Sequence, residues 1–359
     1  MKLVISGDWH LARRTWASLP AVEGDAYKAA SQIFAHCLSL KERGEDVYLV
    51  LAGDVFDTVS PTPDAVAFFL RGAERLEKAK VSVYAVQGQH GRYDDLPWPS
   101  VHPYVKDLTQ GPVRLLPDET CGMLGFDSSS PAALQDKLKE LPKAVRVLIL
   151  HQMLKGLVPD VDGHQNWDLD PEWVPDHVKY VFLGDYHKPI AVRSNHGSEF
   201  VYTGSISMQA VDEPPEKSFI EFDTVTGKWK RVPLKTRPFV SYACREPEQL
   251  AELLIKIAAL EPDTLVLLKY DPRVPEVEKK AKAANPKVHF MLRVLPIDEP
   301  AGGIAAELPT SVSLEGCLDV LVKRDQEAEL HSFLLLLLRA ENPPEIISQL
   351  RAQYVKEQA

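Results

Sequence analysis

The chain has 359 residues, 45% of them hydrophobic and 26% charged, with a formal net charge of −10. This composition excludes a disordered chain and suits one large domain with smaller appendages. The acidic balance also excludes a surface that is basic all over, so DNA contact would need a local patch, bound metal ions or a partner subunit.

Residues 3–6 read as a strand that runs straight into Gly7-Asp8-Trp9-His10. The long apolar stretch of a signal peptide is absent from this N-terminus. A helix is expected over 27–43, where Ala30, Ile33, Phe34, Cys37 and Leu38 share one face and Gly44 supplies a stop. The strand at 47–52 enters Gly53-Asp54-Val55-Phe56-Asp57. Thr62 and Pro63 suit the N-cap and first position of another helix, with Val66, Phe69, Leu70, Ala73 and Leu76 on its apolar face. Three further strands follow. Residues 81–86 lead to Gly88-Gln89-His90, 145–150 to His151-Gln152, and 179–183 to Gly184-Asp185-Tyr186-His187. Strands alternating with helices predict an α/β fold, with a layered α-β-β-α core.

The pattern changes near 235–239. A small α/β unit is expected up to about residue 296, with strands at 240–244, 264–270 and 288–295 and helices at 247–260 and 275–284. A stretch rich in Pro, Gly and Ala follows at 296–309. Two helical segments, 325–340 and 344–355, are split by Asn342-Pro343-Pro344. The expected organisation is a main domain at 1–235, a small domain at 236–296, a linker at 297–324 and a helical tail at 325–359. Within the tail, residues 333–338 (Phe-Leu-Leu-Leu-Leu-Leu) are apolar all round a helix and need burial on every side. The run is far too short to cross a bilayer. Cys37, Cys121, Cys244 and Cys317 are far apart and form no Cys-x-x-Cys pair. They argue against a cysteine-built zinc site and a disulfide framework, and for a reducing cytoplasm.

Chemistry gathers at the strand ends. Five expected strands each finish in Asp, His or a side-chain amide. In α/β sheets ligands bind beyond the carboxyl ends of the strands, so neighbouring strands would bring these side chains to one site. Carboxylate oxygen and imidazole nitrogen suit manganese, iron, magnesium or zinc. Two such ions roughly 3.5–4 Å apart can hold a phosphate oxygen and activate a water, which is the chemistry of phosphate-ester hydrolysis. One strand followed by Gly-Asp usually marks only a turn, and a lone His is more often packed than a ligand. Five such ends in order outweigh that reading. His36, His102, His164, His177, His196, His289 and His331 lie outside the pattern and are read as ordinary packed or surface residues.

The series GDWH, GDVFD, GQH, HQ and GDYH resembles the calcineurin-like metallophosphoesterase signature GDxH, GDxxD, GNH(D/E), H and GHxH. Within that family several details are similar to the SbcD type of DNA nuclease. They are His10-Leu11, Ala52 before Gly53, Tyr202-Thr203-Gly204-Ser205, Glu216-Lys217-Ser218-Phe219 and Arg237-Pro238-Phe239. The resemblance covers residues 1 to about 240 and rests on layout beyond. It implies a metallophosphoesterase core, a capping domain and C-terminal helices. It implies two divalent ions, manganese first and magnesium second. Asp8, His10, Asp54 and His187 would hold the first ion. Asp54 would bridge to the second, completed by Gln89, His151 and Asp185. His90 would stand beside the scissile phosphate as proton donor or charge stabiliser.

Three positions depart from the family pattern. Gln89 stands for Asn, Asp185 for the first His of GHxH, and Gly91 for an acidic residue that orients the catalytic His, a task that Asp94 or Asp95 would have to take over. Gln89 and Asp185 both fall on the second set, so unequal metal affinities are expected. A divergent branch such as a bacteriophage recombination nuclease would fit, which would place the protein in a host cytoplasm.

The resemblance further implies 3′-to-5′ exonuclease and single-strand endonuclease activity in repair or recombination, a homodimer, and an SbcC-like ATPase partner docked on the C-terminal helices. Arg13, Arg14 and Lys188 flank the motifs and are candidates for DNA phosphate contacts, weighed against ordinary solvated loop residues. Two alternatives remain open: a stand-alone phosphodiesterase or phosphatase for small substrates, and a scaffold subunit with a weakened centre.

Overall fold

A computed structural model describes residues 1–13, 24–90, 98–110, 113–114, 122–126, 130–157 and 166–295. Two six-stranded sheets lie face to face between layers of helices. The first is built on β1 (Lys2–Ser6), β2 (Val47–Ala52) and β3 (Ser82–Val86), which run parallel. It is extended by β4 (Val105–Asp107) at one edge and by antiparallel β11 (Ser218–Asp223) and β12 (Lys228–Pro233) at the other. The second holds β5 (Val113–Arg114), β6 (Gly122–Phe126), β7 (Val145–His151), β8 (Tyr180–Gly184), β10 (Glu199–Tyr202) and β9 (Ala191–Arg193), in that order.

Side-chain alternation sorts the layers. Leu3 and Ile5 of β1, Val50 and Ala52 of β2, and Tyr84 and Val86 of β3 face Val147, Ile149, Phe182 and Val201 across the gap between the sheets. The alternate residues Val4, Leu49, Leu51, Val83 and Ala85 pack outward against the helices. A central strand buried on both faces reads as a continuous apolar run, which is why these segments were visible in the sequence. The helix α1 (Asp25–Glu42) buries Ala29, Ala30, Ile33, Phe34, Cys37 and Leu40 against this outer face.

The next helix, α2 (Pro63–Lys78), begins as expected, with the Thr62 hydroxyl accepting from Ala65 N. Its apolar face is rotated from the expected one: Ala65, Phe69, Gly72, Ala73 and Leu76 are buried, and Val66 is 40% exposed. Position 66 lies about 100° round the helix from 65, outside the stripe that the 65-69-72-76 spacing defines.

A third sheet holds the parallel strands β13 (Phe239–Cys244), β14 (Leu265–Tyr270) and β15 (His289–Val294). The helices α3 (Pro247–Ala258) and α4 (Val277–Ala284) complete its core of Cys244, Leu253, Ile257, Val266, Leu268, Val277 and Ala281. Arg237 joins it to the larger core. Its guanidinium donates to both carboxylate oxygens of Asp25, at 2.7 and 2.9 Å, and to the Asp263 carbonyl at 2.8 Å. Beside it, the Gln32 amide exchanges hydrogen bonds with the backbone of Lys235. The Pro- and Gly-rich stretch at 296–309 and the tail helices at 325–340 and 344–355 lie outside the described residues. Among the described residues no helix is long and apolar enough to cross a membrane.

One aromatic side chain anchors the first motif. Trp9 is fully buried, sits edge-on to Phe34 and Phe69 with centroids 5.5 and 5.9 Å away, and donates its indole N–H to Ser6 Oγ at 2.9 Å. Its neighbours in sequence are Asp8 and His10, so burying the indole turns those two side chains away from the helices. Trp9→Ala should lower the unfolding free energy by about 3–5 kcal/mol, the usual cost of emptying a large aromatic site. Chemical denaturation followed by circular dichroism measures it.

Candidate metal centre

The carboxyl ends of β1, β2 and β3 in one sheet and of β7 and β8 in the other open on the same edge. There the backbone departs from ordinary geometry. Asp8, His10, Asp54 and Asp185 all have positive φ, at 51°, 44°, 48° and 85°. Four left-handed non-glycine residues cost free energy, and such strain persists only where surrounding structure enforces it. Close approach enforces it here. A Cβ on Gly53 would strike the His151 ring, and one on Gly88 would strike Asp54, so glycine at both places lets three strand ends meet.

Two imidazoles define the first cluster. His10 Nδ1 lies 3.0 Å from Asp57 Oδ1, and His187 Nδ1 lies 2.8 Å from Glu213 Oε1. A carboxylate only accepts, so each Nδ1 carries a proton. The two Nε2 atoms then face each other at 3.1 Å. Two lone pairs cannot rest at that distance without a cation between them. The Asp8 carboxylate completes the group: the ligand atoms of Asp8, His10 and His187 lie within 4.8 Å of one another. Imidazoles locked from behind by carboxylates are the usual arrangement of metal-ligating histidines.

The second cluster joins Asp8, Asp54 and His151 within the same span. His151 Nδ1 bonds the Ala52 carbonyl at 2.8 Å, which leaves Nε2 as the inward atom, 3.1 Å from Asp54 Oδ2 and 3.9 Å from Asp185 Oδ1. Asp8 and Asp54 each spend Oδ1 on a backbone N–H, of Asp185 at 3.0 Å and of His90 at 2.9 Å. Asp8 Oδ2 is buried with no hydrogen-bond partner. Orphaned, inward-facing nitrogen and oxygen atoms of this kind fit divalent cations. Both carboxylates reach both clusters, since Asp54 Oδ2 also lies 4.0 Å from His10 Nε2.

The electrostatics follow from crowding carboxylates and imidazoles together. Burial alone would raise Asp54, but the charge and hydrogen bond of His151, with His10 and the His90 N–H, hold it well below the usual carboxylate range. Burial would lower His151, and the charges of Asp54, Asp8 and Asp185 push it well up instead. Burial and the charges of Asp8, Asp168 and Asp54 raise Asp185 to about 6, against the pull of His151. Burial lowers His10 despite Asp57. For His187 burial is outweighed by Glu213 and Asp8, and its pKa rises. The two rings of the facing pair thus shift in opposite directions, on either side of a gap that fits a cation.

All of the described residues expected in the site are at this edge. Asp8, His10, Asp54, His151, Asp185 and His187 converge as described. Gln89 is exposed and directs its amide at Asp185 Oδ1, 2.7 Å away. His90 is 43% exposed, edge-on to His10, and bonds the Asp57 carbonyl through Nδ1 at 3.2 Å. That backbone carbonyl holds the ring by one nitrogen. Gly91, Asp94 and Asp95 lie outside the described residues, as does Arg14. Arg13 Nε is 3.8 Å from Asp57 Oδ1, and Lys188 Nζ is 3.1 Å from Asp212 Oδ2, so both basic candidates stand beside carboxylates. Sequence reasoning assigned no role to Asp57, although its motif was quoted, and missed Glu213 altogether. Glu213 lies 26 residues beyond His187 in an irregular loop, where no periodicity gives a signal.

A calcineurin-like phosphoesterase family model matches residues 1–205. Among curated proteins, the chain is 26% identical to the DNA double-strand break repair protein Mre11 of Saccharolobus solfataricus, over 57% of this chain and 54% of that one. It is 25% identical to the Mre11 of Methanocaldococcus jannaschii, over 72% of this chain and 73% of that one. It is 23% identical to the uncharacterized metallophosphoesterase YhaO of Bacillus subtilis, over 54% of this chain and 49% of that one. The match thus spans about half the length of the Saccharolobus and Bacillus proteins.

Calorimetric titration with manganese should show two unequal binding events, the weaker at the set containing Gln89 and Asp185. Both should weaken as the pH falls toward about 6, because protons regain His187, whose pKa is raised, and Asp185, raised to about 6, and a ligand must lose its proton to bind metal. Two equal sites, or affinity independent of pH, would contradict this assignment.

Proposed function

The chain belongs to the calcineurin-like phosphoesterase family, and from that footing we propose that it is a metal-dependent DNA nuclease subunit, a 3′-to-5′ exonuclease and single-strand endonuclease working with an SbcC-like ATPase in repair or recombination. The observation that carries the hydrolytic part is the facing pair His10 and His187, Nε2 to Nε2 at 3.1 Å with both outer nitrogens tied to carboxylates. Asp8, His10, Asp54 and His187 would hold one divalent cation. Asp54, Gln89, His151 and Asp185 would hold the other. Manganese is the first choice and magnesium the second. When bound, such ions polarise a phosphate oxygen and supply a nucleophilic water at neutral pH.

His90 supplies the proton chemistry. With Nδ1–H on the Asp57 carbonyl, the other ring nitrogen, Nε2, lies 3.9 Å from Asp54 Oδ2. A protonated, partly exposed imidazole there can donate to the leaving oxygen or stabilise its developing charge. Gln89 must present its amide oxygen inward to act as a ligand, which a half-turn of the amide accomplishes.

The substrate reading draws on the relatives named for DNA double-strand break repair and on the SbcD-like details of the sequence. Residues 236–296 serve as a capping domain in this reading, 297–324 as a linker, and 325–359 as the docking segment for the ATPase. The protein would act as a homodimer. A second reading, a phosphodiesterase for small substrates, is favoured by one observation: Arg13 and Lys188 stand beside Asp57 and Asp212. Neither of these two basic residues then stands without a carboxylate beside it, and the third candidate, Arg14, lies outside the described residues.

Manganese-dependent cutting of a labelled duplex should fall about 100-fold or more in both His90→Ala and Asp54→Ala. Hydrolysis of a nitrophenyl phosphodiester without any cutting of DNA, even with the ATPase and ATP present, would favour the small-substrate reading.

A further inference from the structure

The connection from β10 to β11 is irregular, yet it buries Ser205, Ser207, Gln209, Glu213 and Lys217, each at most 6% exposed. Buried polar loops are rare because every group in them needs a partner. Gln209 Nε2 donates to Ser207 Oγ at 2.9 Å, and the other partners are found around one carboxylate. Glu213 Oε2 accepts from Lys217 Nζ at 2.6 Å, Ser205 Oγ at 2.9 Å and Gln209 N at 3.0 Å. Lys217 Nζ also donates to Ser205 Oγ at 2.9 Å. The other oxygen, Oε1, goes to His187 Nδ1. Four donors converge on the carboxylate, three on Oε2 and one on Oε1, so its plane and rotamer are fixed.

We propose that Lys217 is a positioning residue for the metal centre: by clamping Glu213 with Ser205, it fixes the ring of His187 and keeps the His187 proton on Nδ1, so that Nε2 is presented to the first metal ion. This rests on the metal-centre reading above and is independent of which phosphoester is cleaved. Burial supplies the argument against a purely structural role. A buried lysine–glutamate pair is a poor source of stability, since desolvating both charges offsets their attraction. A hydrophobic pair would hold the loop as well. What a hydrophobic pair would lack is an acceptor at Oε1 with a fixed direction. Removing such an outer partner usually weakens metal binding about 10- to 100-fold.

The test separates positioning from folding. Lys217→Met alone strands Glu213 and should lower both thermal stability and affinity for the first manganese ion. The double variant Glu213→Gln/Lys217→Met removes both charges together. Its thermal midpoint without metal should return close to that of the unaltered protein, while its first-site affinity by calorimetry stays at least about 10-fold weaker. Ser205→Ala, a smaller change, should weaken first-site binding a few-fold with little loss of stability. Affinity that recovers together with stability in the double variant would overturn the proposal. If the double variant fails to fold, unchanged affinity in Ser205→Ala overturns it alone. These readouts require no nuclease activity, so failure of the DNA reading leaves them interpretable.

Discussion

The centre of this protein depends on a mismatch that the chain alone cannot relieve. His10 and His187 point their Nε2 atoms at each other across 3.1 Å, and their outer nitrogens are committed to Asp57 and Glu213. Without a metal ion, a proton has to sit between them. The same holds beside them, where His151 and Asp54 share charge in a fully buried place. An arrangement that is satisfied only by a positive charge is a binding site by construction, whatever the ion.

Holding those groups together costs backbone energy. Asp8, His10, Asp54 and Asp185 all adopt left-handed conformations at strand ends. Strain of this kind must be offset by packing elsewhere. The offset is visible directly behind the site. Trp9 is locked among Phe34 and Phe69 under the helices, and the strands enter the site from cores in which almost every side chain is fully buried. The site is therefore rigid where the metals would be held. His90, the residue assigned to proton transfer, is the more exposed of the group, as access to a substrate requires.

The departures from the family pattern take on a physical shape in the fold. His90 rests on a backbone carbonyl, that of Asp57, whose side chain also holds His10, while Asp94 and Asp95, the acids expected to take over from Gly91, lie outside the described residues. One residue thus touches both rings. The changes at Gln89 and Asp185 meet each other across 2.7 Å, amide to carboxylate. In the proposed assignment both belong to the second metal set.

What the sequence determined by itself was the set of strands and the chemistry at their ends. Central strands of a two-layer sheet are apolar on both faces, so β1, β2, β3, β7 and β8 stood out as short continuous runs. The polar residues that ended each run were legible because every strand delivers its last residues to the same edge. Sequence could also show which motif positions were altered. It could not show that the five strands are divided between two sheets, three in one and two in the other. Periodicity reports which face of an element is buried, not against what. For the same reason it placed Val66 on the buried face of α2, where the packed helix turns it outward. The groups behind the ligands were decided by tertiary structure alone. Glu213 and Lys217 reach His187 from an irregular loop, and a hydrogen bond spanning 26 residues of chain leaves no trace in local spacing. Directionality is a property of atoms in space, and only the folded chain fixes it.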